Sequence, residues 1–150
     1  MKSLRLNRCQ HLTIYTANVN HSLRRPILPF VISAGFPSPA LDFTEVSIDL
    51  NKQLIDHPSA TFYGRVQGES MKNAGINDGD LLIIDKSITP EHGKIAVCYL
   101  NGEFTLKRIC LKNEELWLMP ENEAYAPIKV DEMNDFTVWG IVTYVIKKTV

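Results

Sequence analysis

Disulfide and metal chemistry find little material in this chain. It has three cysteines, Cys9, Cys98 and Cys110. The number is odd and no Cys-x-x-Cys pair occurs, so neither a disulfide framework nor a metal site is expected. Cys98 and Cys110 stand in apolar runs and read as small core residues, and reduced thiols fit a cytoplasmic location. No run approaches the ~20 apolar residues of a membrane span. The apolar stretch 27–36 follows Arg24-Arg25 in the manner of a secretory leader, but it is short, contains Pro29 and starts late, so export is not expected. Acidic residues are missing from the first 34 positions, which hold Lys2, Arg5, Arg8, Arg24 and Arg25. That leaves 16 − 5 = 11 basic and 17 acidic residues from Gly35 onward, a net of −6. Such a basic tail can stay solvated, lie against the acidic body or touch an acidic partner or nucleic acid. The net charge of −1 gives no global attraction to nucleic acid.

What is present suits one compact domain with a tail, since domains commonly take about 100–150 residues. Residues 1–30 show no sustained periodicity, because Asn, His and Arg interrupt the apolar positions, and they read as an extended arm. Ala34-Gly35-Phe36-Pro37-Ser38-Pro39 follows. Its prolines hold the chain extended and deny it ladder donors, and Gly35 leaves one peptide unshielded. From about residue 45 short β-like runs begin. Residues 60–67 alternate, with Phe62 and Val66 opposed to Tyr63 and Arg65. Residues 81–85 form a continuous apolar strand entered through Asn77-Asp78-Gly79-Asp80. Residues 94–100 and 103–109 flank Asn101-Gly102, a strong hairpin signal. Residues 116–119 and 136–146 complete the strands. Helix is confined to 49–55 and one turn at 70–74 stopped by Gly75. The expectation is a mainly β, barrel-like domain over 45–150, preceded by an arm over 1–44.

Two residues draw attention chemically. Ser70, in Gly68-Glu69-Ser70-Met71, follows a strand and a glycine turn. It reads either as a helix cap or as a nucleophile whose own N–H and that of Met71 could hold an oxyanion. A serine nucleophile needs a base. His57 and His92 read as loop residues, and nothing ties them, His11 or His21 to Ser70. Lys107 is the other candidate. With Asn101-Gly102 as a two-residue turn, Lys107 faces the small Ala96 and shares a face with Ile109. It reads either as a lysine snorkelling at a rim or as a desolvated amine whose lowered pKa suits a general base.

The ordered runs His57-Pro58-Ser59-Ala60-Thr61, Gly68-Glu69-Ser70-Met71, Asn77-Asp78-Gly79-Asp80-Leu81-Leu82-Ile83-Ile84-Asp85, His92-Gly93 and Asn101-Gly102-Glu103-Phe104-Thr105-Leu106-Lys107-Arg108 resemble the UmuD-like members of the self-cleaving serine peptidases (S24) that include LexA. Ala34 to Ala40 resembles their cleavage segment. The resemblance covers about residues 33–147 and leaves the longer arm before it unmatched. It implies a LexA/UmuD-type C-terminal peptidase domain with an N-terminal arm. It implies Ser70 as nucleophile, Lys107 as general base and a cut between Ala34 and Gly35, with no cofactor. It also implies a homodimer, stimulation by a RecA filament on single-stranded DNA, and service to a UmuC-like Y-family translesion polymerase in SOS mutagenesis after DNA damage. Three other readings stay open: a non-enzymatic polymerase- or RecA-binding module with a vestigial dyad, a LexA-type repressor, and a signal peptidase. The arm lacks helix-turn-helix periodicity, so sequence-specific DNA binding is not expected, and the missing membrane anchor opposes the signal peptidase.

Overall fold

The computed structural model describes residues 5–9, 12–27, 32, 34–35 and 46–150. In chain order the strands among the described residues are β1 (Arg5–Cys9), β2 (Leu12–Thr16), β3 (Arg24–Ile27), β4 (Val46–Asp49), β5 (Thr61–Val66), β6 (Leu81–Asp85), β7 (Ile95–Leu100), β8 (Glu103–Lys112), β9 (Glu115–Met119), β10 (Ile128–Val130) and β11 (Phe136–Ile146), with a short α-helix, α1 (Leu50–Leu54), after β4 and 3-10 turns at Pro58–Ala60 and Lys72–Ala74. The protein is thus mainly β, as its alternating runs require. The chain forms two compact units, one of Met1–Asn18 with His57–Val150 and one of Val19–Asp56.

The first unit is a nine-stranded sheet in the order β1-β2-β5-β6-β11-β7-β8-β9-β10. Its ladders are antiparallel. Alternation sorts its side chains. Phe62 and Val66 of β5 join a core cluster with Leu12, Ile14, Met71, Leu82, Ile84, Val97 and Leu106, whereas Arg65 is exposed. Ala96, Cys98, Ile109, Leu118 and Ile141 form a second cluster. β7 serves both clusters, since Val97 points one way and Ala96 and Cys98 the other. Each fully buried Leu or Ile contributes about 1.5–3 kcal/mol. Ile84 sets the tightest packing: a Cβ on Gly140 would lie 2.6 Å from its Cγ2, and one on Gly64 2.9 Å from its Cδ1. Neither position accepts a side chain unless Ile84 shifts.

The second unit pairs β3 with β4, from Arg24 opposite Asp49 to Ile27 opposite Val46. Asp49 caps α1 by accepting from the Asn51 N–H at 3.1 Å. Its carboxylate also accepts from Ser22 Oγ at 2.7 Å and from the Leu23 N–H at 3.0 Å. The hydroxyl bond is the main cause that holds its pKa below the usual carboxylate value.

Residues 5–9 and 12–16 differ from the sequence expectation of an arm without strands. Leu12 and Ile14 are both 1% exposed and enter the first core cluster. Their alternation spans only five residues, and pairing with β5, some fifty positions later, is what fixes it. The stretch 36–44, which includes Phe36 to Ala40 of the expected cleavage segment, lies outside the described residues, as does Ser33. Among the described residues no helix is long and apolar enough to cross a membrane.

Candidate active site

The β7–β8 hairpin turns through Asn101 and Gly102, with φ of 48° and 91°. Left-handed φ at both positions defines the two-residue turn whose twist matches the strands. It fixes the register from Leu100 opposite Glu103 to Ala96 opposite Lys107. Lys107 is therefore held against a methyl group and Cys98, and is 7% exposed. Its Nζ lies 2.9 Å from Thr105 Oγ1, 3.0 Å from the Leu106 carbonyl and 3.2 Å from Ser70 Oγ. Burial lowers the lysine pKa below 10.5, and the nearby Cys98 opposes that as the lesser cause. Burial likewise pushes the Cys98 thiol up to about 12, so it stays protonated. An ammonium fills all three contacts as donor. A neutral amine has two N–H groups and one lone pair. With Thr105 and Leu106 taking the two hydrogens, the lone pair faces the Ser70 hydroxyl.

Ser70 is positioned by loops. After β5 the chain turns at Gly68, whose φ is 95°. The Gly68 N–H donates to the Asp78 carboxylate at 2.7 Å. The Ser70 carbonyl accepts from the Glu121 N–H at 2.8 Å, and the Glu121 carbonyl accepts from the Asn73 N–H at 2.8 Å. Asn122 Nδ2 donates to the Glu69 carbonyl at 2.9 Å. Met71, 2% exposed, anchors the turn in the core. A 3-10 turn over Lys72–Ala74 then ends at Gly75, φ 76°. Arg108, next to Lys107, pairs with Glu121 and donates to the Gly93 carbonyl at 2.6 Å. Among the described residues, neither the Ser70 nor the Met71 N–H donates to an acceptor, so both stay available to a bound oxygen. A cavity of about 190 Å³ opens here, lined by Gly68, Ser70, Leu106, Lys107, Tyr125 and Ile128 among others.

The structure thus brings Ser70, Lys107 and the Met71 backbone together. No described histidine bonds to Ser70. His57 Nδ1 pairs with Asp85 at 2.7 Å, His92 Nδ1 accepts from the Leu111 N–H at 2.9 Å, and His11 lies outside the described residues. Ala34 and Gly35 are exposed bends in the second unit, and a Cβ on Gly35 would meet nothing within 4 Å. Among the described residues no group of three or more His, Cys, Asp or Glu could hold a metal. Trp139 is half-buried against the first core cluster with Phe62 and Phe104, and Trp117 is half-buried beside Lys129.

Sequence reasoning missed the supports. Thr105 had a signal, since its side chain lies two positions before Lys107 on the same strand face. Asp78, Arg108 and Glu121 had none as supports, because their roles depend on loops meeting in space.

Comparison with known proteins points to a family. The sequence model of the family described as Peptidase S24-like matches residues 26–143. Protein ImpA of Escherichia coli is 40% identical over 129 residues, covering 83% of this chain and 85% of its own length. Protein SamA of Salmonella typhimurium is 45% identical over 116 residues, covering 77% and 80%. The LexA repressor of Acidithiobacillus ferrooxidans is 40% identical over 120 residues, covering 77% of this chain and 58% of its own length.

Proposed function

The chain belongs to the S24-like peptidase family, and from that premise we propose that it is a self-cleaving serine endopeptidase of the SOS response that cuts its own backbone between Ala34 and Gly35. The observation that carries this reading is the Nζ–Oγ distance of 3.2 Å between a buried lysine and a serine in a cavity. In this reading residues 1–44 are the arm that delivers the scissile bond, and residues 45–150 supply the chemistry. Neutral Lys107 takes the Ser70 proton while Oγ attacks the Ala34 carbonyl. The Ser70 and Met71 N–H groups hold the oxyanion. As the tetrahedral intermediate collapses, Lys107 gives its proton to the Gly35 amine. Water, deprotonated by Lys107, then releases the acyl group from Ser70. The larger product has 150 − 34 = 116 residues.

Because the bond must be brought to the serine, delivery is the step open to control. The family resemblance supports a RecA filament on single-stranded DNA as the stimulus. It also supports a cytoplasmic homodimer of the shortened chain as accessory subunit of a UmuC-like Y-family polymerase in translesion synthesis. Incubation of the purified protein with and without RecA, ATP and single-stranded DNA, followed by intact-mass measurement, tests this. The expected result is a pair of fragments ending at Ala34 and starting at Gly35, formed faster with the filament. A mass that stays unchanged, at alkaline pH as well, favours a binding module whose dyad is vestigial.

A further inference from the structure

A cut at Ala34–Gly35 would remove structure as well as length. β1 and β2 precede that bond, and β2 is the sheet neighbour of β5. Leu12 pairs with Val66, Ile14 with Gly64 and Thr16 with Phe62. Leu12 and Ile14 fill a socket whose other walls include Val66, Leu82 and Ile84. The floor is Gly64, where a Cβ would come within 3.2 Å of Leu12 Cδ1. Without β2, the ladder groups of β5 lose their partners on that side, and fully buried Leu82 and Ile84 lose part of their cover. An edge of that kind is a template for another strand.

We propose that the β5 edge is a binding site for an extended peptide segment, capped by β2 in the intact chain and opened when residues 1–34 depart. The cap displays the chemistry of the ligand. A strand antiparallel to β5 must carry two aliphatic side chains at alternate positions, as Leu12-Thr13-Ile14 does. The bond to Gly35 keeps the cap at an effective concentration in the millimolar range. Cutting turns that docking into a bimolecular one, which dilution to micromolar protein dissolves. The timing of opening rests on the proposed self-cleavage, whereas the site itself rests on the β2–β5 pairing.

The test uses a fluorescein-labelled peptide of residues 10–18 and anisotropy titration. The titrants are the intact chain, the self-cut chain freed of 1–34 by gel filtration, and a Ser70→Ala chain carrying a foreign protease site between residues 34 and 35, cut by the added protease. Both cut chains are expected to bind at least about tenfold more tightly than the intact chain. A peptide with Leu12→Asp and Ile14→Asp is expected not to bind. The full chain bearing those two substitutions is expected to take up the unsubstituted peptide without any cut. Equal binding by intact and cut chains, no binding by either, or co-elution of 1–34 with the body would overturn the proposal. Self-association of the cut chain that excludes the peptide would assign the edge to a second copy and overturn it too. If the unmodified chain never cuts itself but the protease-cut Ser70→Ala chain binds, the site stands and only the self-cleavage reading falls.

Discussion

Lys107 hangs from the interior of β8, which is laddered to β7 up to Arg108 and to β9 from Arg108 onward. Ser70 stands in a loop that no ladder touches, held by the Asp78 carboxylate, the Glu121 backbone and the Asn122 amide. In the proposed mechanism the contrast follows from what each must do. The amine has to be dry to lose its proton, and a strand between two core clusters supplies that. The serine has to offer its own N–H and that of Met71 to a developing negative charge. A ladder would consume both donors, so the proposed nucleophile is placed outside the ladders, with its N–H and that of Met71 left open. Precision on the serine side therefore comes from a few long-range bonds, and damage there separates from damage to the fold.

This contrast can be broken in graded ways. The largest effect is expected from Ser70→Ala or Lys107→Ala, each lowering the self-cutting rate at least about a thousandfold by intact-mass time course; normal cutting by either variant removes that residue from the mechanism. Asp78→Ala loosens the Gly68 turn and is expected to slow cutting roughly 10- to 100-fold, with an unchanged circular dichroism spectrum. An unaltered rate would mean the loop is held without it. Raising the pH without any partner is expected to speed cutting by about tenfold per unit until the lowered Lys107 pKa is passed, then to level off; a flat profile from neutral to alkaline pH contradicts a lysine base.

Stability carries the smaller effects. The folded Lys107 pKa is depressed, so the unfolded chain binds more protons between the folded value and about 10.4. Stability of the unsubstituted protein then rises with pH across that window. Lys107→Met removes the burial penalty and is expected to raise the neutral-pH Tm by roughly 2–4 °C per kcal/mol relieved, a gain that fades toward pH 10.4 in thermal melts. A lower Tm at neutral pH would show the buried amine to be stabilising. Gly102→Ala forces a side chain into φ 91°. It is expected to cost about 1 kcal/mol in urea unfolding, while Gly68→Ala, at φ 95° on the serine side, slows cutting as well.

The strongly patterned elements were legible. β6 and β11 fall on the runs expected for them, because continuous apolar residues bounded by turn residues leave few alternatives. The Asn101-Gly102 turn dictates which residue faces Lys107, so that neighbourhood could be read from the hairpin alone. β10 escaped notice because Ile128-Lys129-Val130 is too short to carry a pattern, and only β9 beside it makes it a strand. β2 escaped because its partner β5 is remote, and β1 escaped with it because it pairs with β2. On the serine side the text shows a glycine turn and a serine but no clamp. Asn122 and Glu69 are 53 positions apart, and nothing local says that they meet. The resemblance to self-cleaving peptidases singled out the serine and lysine, since spacing alone left each of them with an inert reading.

β11 changes partner midway: Phe136 to Ile141 pair with β7, and Ile141 to Ile146 pair with β6. In the ladder it is the seam between β1-β2-β5-β6, which leads to Ser70, and β7-β8-β9-β10, which bears Lys107. Among the described strands it is also the last in chain order. A growing polypeptide would then hold Ser70 and Lys107 on halves not yet sewn together, and the proposed self-cutting would stay silent until β11 has been made. As a hypothesis this predicts that ribosome-arrested chains ending before Phe136 remain whole at alkaline pH; cut arrested chains would show that the seam is dispensable.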